Sequence, residues 1–315
     1  MNVISFLFLI ILGCFFLVFG ANRLVDNSTL IAKCYKIPML IIGMTVVAFG
    51  TSLPELVVNI VAALEGNSTI ALTNIYGSNF LNILIILGLS SVIFPISSKM
   101  QSIKIDIPFA IITSCLMLLF NWTDNMIDRN ECVMLLVFFS FFLCSQFLSL
   151  SDDFKNEKYE EVNKKGVLKY TLMIILGLIY LIIGGKIVVY GAENVAICLG
   201  VPESIIGLTI VALGTSLPEL VTSCVAAYKK NADIALGNII GSNMFNILCI
   251  IGVSGLIHPL HSYEGYVFDG IVMILATILV LVCILTNKEK KLKRWHGVLF
   301  LVLYGVYLTY KIMFL

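Results

Sequence analysis

The chain has 315 residues, 59% of them hydrophobic and 12% charged, with a formal net charge of +1 and a mean hydropathy of +1.02. That much apolar surface exceeds what one soluble core of this size hides, and the near-neutral balance leaves no electrostatic footprint for nucleic acid. The class is an all-α polytopic membrane protein, in which runs of about 20 apolar residues cross roughly 30 Å of hydrocarbon as helices.

Segment 1 is expected over about 3–20, followed by a polar patch with Arg23, Lys33 and Lys36. Nothing basic precedes it, and it is long enough to span, so it is not read as a cleavable signal. Pro38 opens segment 2, because a missing N–H costs nothing in a first helical turn; the segment runs to about residue 64. Segment 3 covers about 69–94 and is closed by Pro95, and segments 4 and 5 cover about 105–120 and 132–150. The most polar stretch, 151–166, is a linker. Segments 6 (167–190), 7 (from Pro202), 8 (234–257), 9 (267–285) and 10 (297–314) repeat the plan. The chain thus divides into an N-terminal five-helix unit (1–150), a cytoplasmic linker (151–166) and a C-terminal five-helix unit (167–315). Of nine cysteines, Cys14, Cys115, Cys144, Cys224, Cys249 and Cys283 fall in apolar runs without metal spacing. They read as small buried hydrophobes.

The two units are copies. The stretch 43–82 returns at 207–246 at a constant offset of 164, and 43–95 matches 207–259 without a gap at 32 of 53 positions. Five spans per copy is an odd number, so the copies enter the membrane from opposite sides: ten transmembrane helices as two inverted five-helix repeats. Charge agrees. The loops on one side carry Arg23, Lys33, Lys36, Lys99, Lys104, Lys155, Lys158, Lys164, Lys165, Lys169, Lys229, Lys230, Lys288, Lys290, Lys291, Lys293 and Arg294. The opposite loops hold Arg129 alone, with Lys186 and Lys311 near span ends. The basic side is therefore expected in the cytoplasm of a cell (inner) membrane, with both termini outside. Inverted repeats of this kind place a substrate site at midplane between the copies.

Glu55 and Glu219 lie deep in apolar spans, where an ionisable side chain is expensive and its default reading is functional. Pro54 and Pro218 precede them, have no N–H for the carbonyls of Gly50 and Gly214, and should break each helix before its glutamate. Carbonyls near Ala48–Thr51 and Ala212–Thr215 are expected to lose partners, and free carbonyls survive at this depth only where something buried satisfies them. The Thr51 and Thr215 side chains add oxygen. Asn74, Ser78 and Asn82 stand four apart and share a helix face, as do Asn238, Ser242 and Asn246, although interhelical hydrogen bonding alone also explains such stripes. Gly77 and Gly241 thin the helices. The donor set is all oxygen, with two carboxylates and no His or Cys, which suits Ca²⁺ and Na⁺ rather than zinc or copper.

GTSLPEL at 50–56 and 214–220, with GSNxxN at 77–82 and 241–246, resembles the two repeats of the calcium/cation antiporter superfamily, nearest its prokaryotic sodium/calcium exchangers. The resemblance implies two long tilted helices (segments 1 and 6) sliding against an eight-helix core, and a central Ca²⁺ site flanked by Na⁺ sites. It implies that Glu55 and Glu219 bind Ca²⁺ with the carbonyls of Thr51 and Thr215. Ala48, Ala212, Ser78 and Ser242 line the Na⁺ sites, which the two glutamates also serve, and Asn82 and Asn246 border the centre. Several relatives carry an aspartate at one of those last two positions. Two asparagines leave two formal charges, which weakens any case for K⁺ co-transport. Thr73 stands where the second copy has Gly237, so the first stripe is expected to pack less closely. The linker has no room for the cytosolic Ca²⁺-sensing domains of animal exchangers.

Na⁺-driven Ca²⁺ exchange by alternating access is thus the leading expectation, with H⁺/Ca²⁺ (or other divalent cation) antiport as the alternative. The partners are the two transported ions and the lipid bilayer, without a cofactor, and a monomer is the simplest state. An intramembrane enzyme is excluded by the absence of a Ser–His pair, an aspartate pair or HExxH in the spans. Asp124, Asp128, Arg129 and Glu131 read as a solvated outer loop, and His258 and His261 as loop residues.

Overall fold

A computed structural model describes residues 3–153, 166–199 and 212–314. Residues 154–165 of the linker, and the start of segment 7 from Pro202 with Gly207, lie outside them. The described residues are helical almost throughout. α1 is Val3–Tyr35, α2 Met39–Thr51, α3 Leu53–Leu64, α4 Ser68–Ile93, α5 Ser102–Thr123, α6 Arg129–Asp153 and α7 Val167–Cys198. α8 is Ala212–Thr215, α9 Leu217–Tyr228, α10 Ala232–Ile257, α11 Tyr266–Thr286 and α12 Arg294–Phe314. Among the described residues, α1, α4, α5, α6, α7, α10 and α11 are long and apolar enough to cross a membrane, and α2 with α3 passes as one bent pair. Segments 7 and 10, expected as spans, are present as α9 and α12 but are not among these seven.

α4 and α10, the helices of the GSNxxN motifs, form the centre: 78% and 83% of their apolar windows are buried, against 22% and 28% for α1 and α7. The outer pair packs chiefly on itself. A Cβ on Gly20 would meet the Gly177 carbonyl at 2.6 Å, and one on Gly184 the Gly13 carbonyl at 2.8 Å. Lipid gives helices no hydrophobic reason to associate, so such glycine contacts, which let backbones touch, hold the pair. α1 also overruns its expected end at residue 20. Ala21, Leu24, Val25 and Ala32 are buried, so packing continues the helix to Tyr35, and Lys36 leaves it at φ 57°. Arg23 and Lys33 consequently ride on the helix rather than in a loop. Asp26, on the same stretch, pairs with Lys229 after α9 at 2.7 Å.

Two short antiparallel pairs join the halves: β1 (Ile96–Ser97) with β4 (Lys291–Leu292), and β2 (Met126–Ile127) with β3 (Leu260–His261). Of the residues read as a solvated outer loop, Asp124 and Arg129 are exposed, while Asp128 and Glu131 cap a helix. Asp128 accepts from the Glu131 N–H at 2.8 Å while Glu131 accepts from the Asp128 N–H at 2.9 Å, a reciprocal box at the start of α6. The cysteines correct another expectation: all nine are free, but Cys14 and Cys115 are exposed, as is Cys144. They lie on faces that an apolar surround would cover.

Candidate ion-binding site

Both glutamates sit in the first turn of a helix that starts at a break. Ser52 leaves α2 at φ −84°, ψ 6°, and Ser216 ends α8 at φ −87°, ψ 4°; α2 and α3 meet at 47°. Proline fits the first helical positions, where its missing N–H takes nothing away. The N-terminal end of each following helix then favours the carboxylate in its own first turn. The expected break is therefore present, although one detail differs. The Ala48 carbonyl keeps partners, accepting from the Ser52 N–H at 3.0 Å and the Thr51 hydroxyl at 3.4 Å, because the chain turns at Ser52 and not before it.

Glu55 and Glu219 are each 1% exposed, and the copies hold them crosswise. Ser52 Oγ donates to Glu219 Oε1 at 3.0 Å, and Ser216 Oγ donates to Glu55 Oε1 at 3.2 Å. Ser78 Oγ lies 3.2 Å from Ser216 Oγ. The second oxygen of each acid, Oε2, has no partner, nor do Asn82 Oδ1, Asn246 Oδ1 and Ser242 Oγ. Five buried oxygens without donors, in a site where nearly every buried polar atom should be answered, is the chemistry of a cation cradle.

The asparagines are aimed by partners. Asn82 Nδ2 donates to Asn243 Oδ1 at 2.8 Å and Asn246 Nδ2 donates to Asn79 Oδ1 at 2.9 Å, which occupies the amide nitrogens and leaves the oxygens over. Both residues stand in π-helical turns, Leu81–Ile86 and Phe245–Ile251, a widening common at functional sites. Higher in the stripes, Thr51 donates to Asn238 Oδ1 at 3.1 Å and Thr215 to Asn74 Oδ1 at 3.4 Å. Asn74 and Asn238 thus join helices. Ala48 is fully buried and Ala212 opens α8.

Among the expected residues, the structure ties Glu55 and Ser78 together through Ser216, and holds Glu219 separately through Ser52. It links Thr51 and Thr215 across the copies, and it ties Asn82 and Asn246 to opposite halves. Sequence reasoning missed Ser52, Ser216, Asn79 and Asn243. The serines stand inside TSLPE, and the asparagines are the N of GSN. Duplication of both was the available signal. A cavity of about 410 Å³ reaches the break from one side, lined by Pro54, Thr215 and Pro218 and, on α7, by Lys186, Tyr190 and Glu193.

The model of the family described as sodium/calcium exchanger protein matches residues 5–148 and 169–313. A sodium/calcium exchanger of Methanosarcina acetivorans, MaX1, is 33% identical over 354 aligned positions, covering 98% of this chain and 99% of that protein. The inner membrane protein YrbG of Escherichia coli is 34% identical, covering 86% of each. The solved structure of the sodium-calcium exchanger NCX_Mj soaked with 2.5 mM Na⁺ and 10 mM Sr²⁺ superposes with a TM-score of 0.85 at 30% identity, over 98% of this chain and 99% of that one.

Proposed function

We propose, from the premise that this chain belongs to the sodium/calcium exchanger family, that it is a secondary antiporter exchanging Na⁺ for Ca²⁺ at one midplane site between two inverted five-helix repeats. Members of this family are multi-pass membrane transporters, not enzymes, and exchange cations including Ca²⁺. Glu55 and Glu219 take Ca²⁺ with the carbonyls of Thr51 and Thr215. Ala48, Ala212, Ser78 and Ser242 line the flanking Na⁺ positions, and Asn82 and Asn246 border the centre.

The observation that carries this reading is the set of donorless buried oxygens on Glu55, Glu219, Asn82, Asn246 and Ser242. Two uncompensated carboxylates in low dielectric are costly until a cation answers them. One Ca²⁺ balances both. When it leaves, monovalent ions must replace it before the site turns to the other side, which couples the fluxes. The ten-span inverted plan is supported by the strand pairs: the 3–4 and 9–10 loops meet at one end, the 4–5 and 8–9 loops at the other. Their ends match the basic and the non-basic loops, which supports cytoplasmic basic loops and outside termini.

Uptake of ⁴⁵Ca²⁺ into Na⁺-loaded vesicles, with Na⁺ replaced in turn by K⁺, Li⁺ and a pH step, tests the coupling. Uptake is expected with Na⁺ inside and not with K⁺. Uptake that follows the pH step and ignores Na⁺ replaces Na⁺ by H⁺.

A smaller effect belongs to the serines. A hydrogen bond to a charged group is worth about 1.5–3 kcal/mol. Ser52→Ala and Ser216→Ala are therefore expected to keep transport but weaken apparent Ca²⁺ affinity roughly 10- to 150-fold. Titration of ⁴⁵Ca²⁺ uptake checks this; unchanged affinity in both variants removes the serines from the site.

A further inference from the structure

Two further buried carboxylates stand outside the repeated motifs, each near the start of a helix, Asp106 in α5 and Asp269 in α11. Asp269, in the first turn of α11, is answered in full: Lys311 Nζ lies at 2.9 Å, Tyr307 donates at 3.1 Å and Tyr263 also donates. Asp106 stands in α5, 2% exposed, and is answered in part. Gln146 Nε2 donates to its Oδ1 at 3.1 Å, from a position 40 residues further along the chain, as Lys311 stands 42 beyond Asp269. One half thus supplies its acid with a built-in cation from near the end of α12, and the other supplies a neutral amide from near the end of α6.

The shortfall is visible in atoms. Asp106 Oδ2, Gln146 Oε1 and Ser102 Oγ are all buried and none makes a well-formed hydrogen bond, the Ser102 hydroxyl giving the Asp106 carboxylate only a loose contact. Gln146 and Ser102 are each 1% exposed. Ser102 lies one turn before Asp106 in a π-helical stretch, Ser102–Asp106. Among the described residues no cationic side chain pairs with Asp106: Lys104 in the same turn is exposed, and Lys99 reaches Asp233 at 3.3 Å. A buried charge without a countercharge is expensive, and the three free atoms are all hard oxygens carrying one formal charge between them. That combination suits a small monovalent cation.

We propose that Asp106, Gln146 and Ser102 form a Na⁺ site, separate from the central one, at the end of the bundle that bears the basic loops. The ion there does what the Lys311 ammonium does for Asp269.

The test uses the purified full-length chain with the central site disabled by Glu55→Gln and Glu219→Gln together. Its melting temperature is followed while NaCl replaces choline chloride at fixed pH and ionic strength. A Na⁺-dependent rise is expected to survive in this double variant and to vanish when Asp106→Asn is added. Gln146→Met is expected to raise the half-maximal Na⁺ concentration at least tenfold, and carries the test if the asparagine variant does not fold. In the otherwise native chain, Asp106→Asn is expected to keep the Ca²⁺-dependent rise, which separates failure of this site from failure of the central one. No Na⁺ response in the double variant, or one that ignores both substitutions, overturns the proposal. So does a response to pH alone, which means that the carboxylate holds a proton.

Discussion

Glu55→Gln and Glu219→Gln are each expected to abolish exchange while leaving a folded protein in the membrane. Each substitution removes one of two negative charges and preserves shape and volume. A divalent ion then faces one carboxylate, and the site carries an uncompensated positive charge at a depth where the Coulomb energy of a single unit pair is on the order of 4 kcal/mol. Affinity should fall by more than about 10³-fold, beyond what transport tolerates. Stability should move the other way. Each glutamate's Oε2 has no donor, so without ions the parent's buried acids are answered only in part, by one serine each and a helix end, and the glutamine variant is expected to melt no lower than the parent. Ca²⁺ at 100 times its dissociation constant adds about 2.7 kcal/mol to the parent; the variants should lose that rise. Melting curves with and without Ca²⁺, beside ⁴⁵Ca²⁺ flux, read both effects. Normal flux in either variant removes the site.

Gly241→Val is the second large effect, and it acts through backbone. A Cβ at Gly241 would lie 2.6 Å from the Met44 carbonyl oxygen, 2.7 Å from Met44 Cα and 2.8 Å from Ala48 Cβ. One turn earlier, a Cβ at Gly237 would meet the Leu40 carbonyl at 2.5 Å. Main-chain atoms cannot swing aside, so α10 must part from α2. That separation stretches the 3.1 Å bond from Thr51 to Asn238 and carries Ser242 and Asn246 away from the break at Ser52. Overpacking costs about 1–3 kcal/mol even for a methyl group. Valine should exceed that, lowering the melting temperature and Ca²⁺ affinity together. Gly305→Ala, whose added Cβ meets no described atom within 4 Å, is the control: it should leave Ca²⁺ affinity unchanged and should not lower the melting temperature. A Gly241→Val protein with parental melting and parental affinity would show that α2 and α10 do not need their close contact.

The expected looser packing of the first stripe, where Thr73 replaces the glycine of the second copy, concerns a neighbour from segment 7 that lies outside the described residues. The second copy shows the closeness that glycine allows, since Gly237 and Gly241 touch α2 main chain along two turns.

Much of this protein was legible in its residues taken alone. Apolar runs announce helices in lipid because backbone groups there must be satisfied within the segment. The constant offset of 164 announces a duplication, and a glutamate behind a proline in each copy announces a broken helix with an acid at its start. Those signals are local or repeat themselves, so no packing was needed to see them. What tertiary structure decided was pairing. Whether an oxygen is free depends on the donor that reaches it, and the donor for Glu219 is Ser52, 167 positions away, while that for Asn243 is Asn82. The decisive partners of Asp106 and Asp269 lie 40 and 42 residues further along the chain; one meets an amide and the other an ammonium only after α6 and α12 are in place. Composition dictates which segments leave water for lipid, because water or its absence acts on each residue separately. The partners of buried polar atoms follow from the approach of distant backbones, which only the assembled bundle defines.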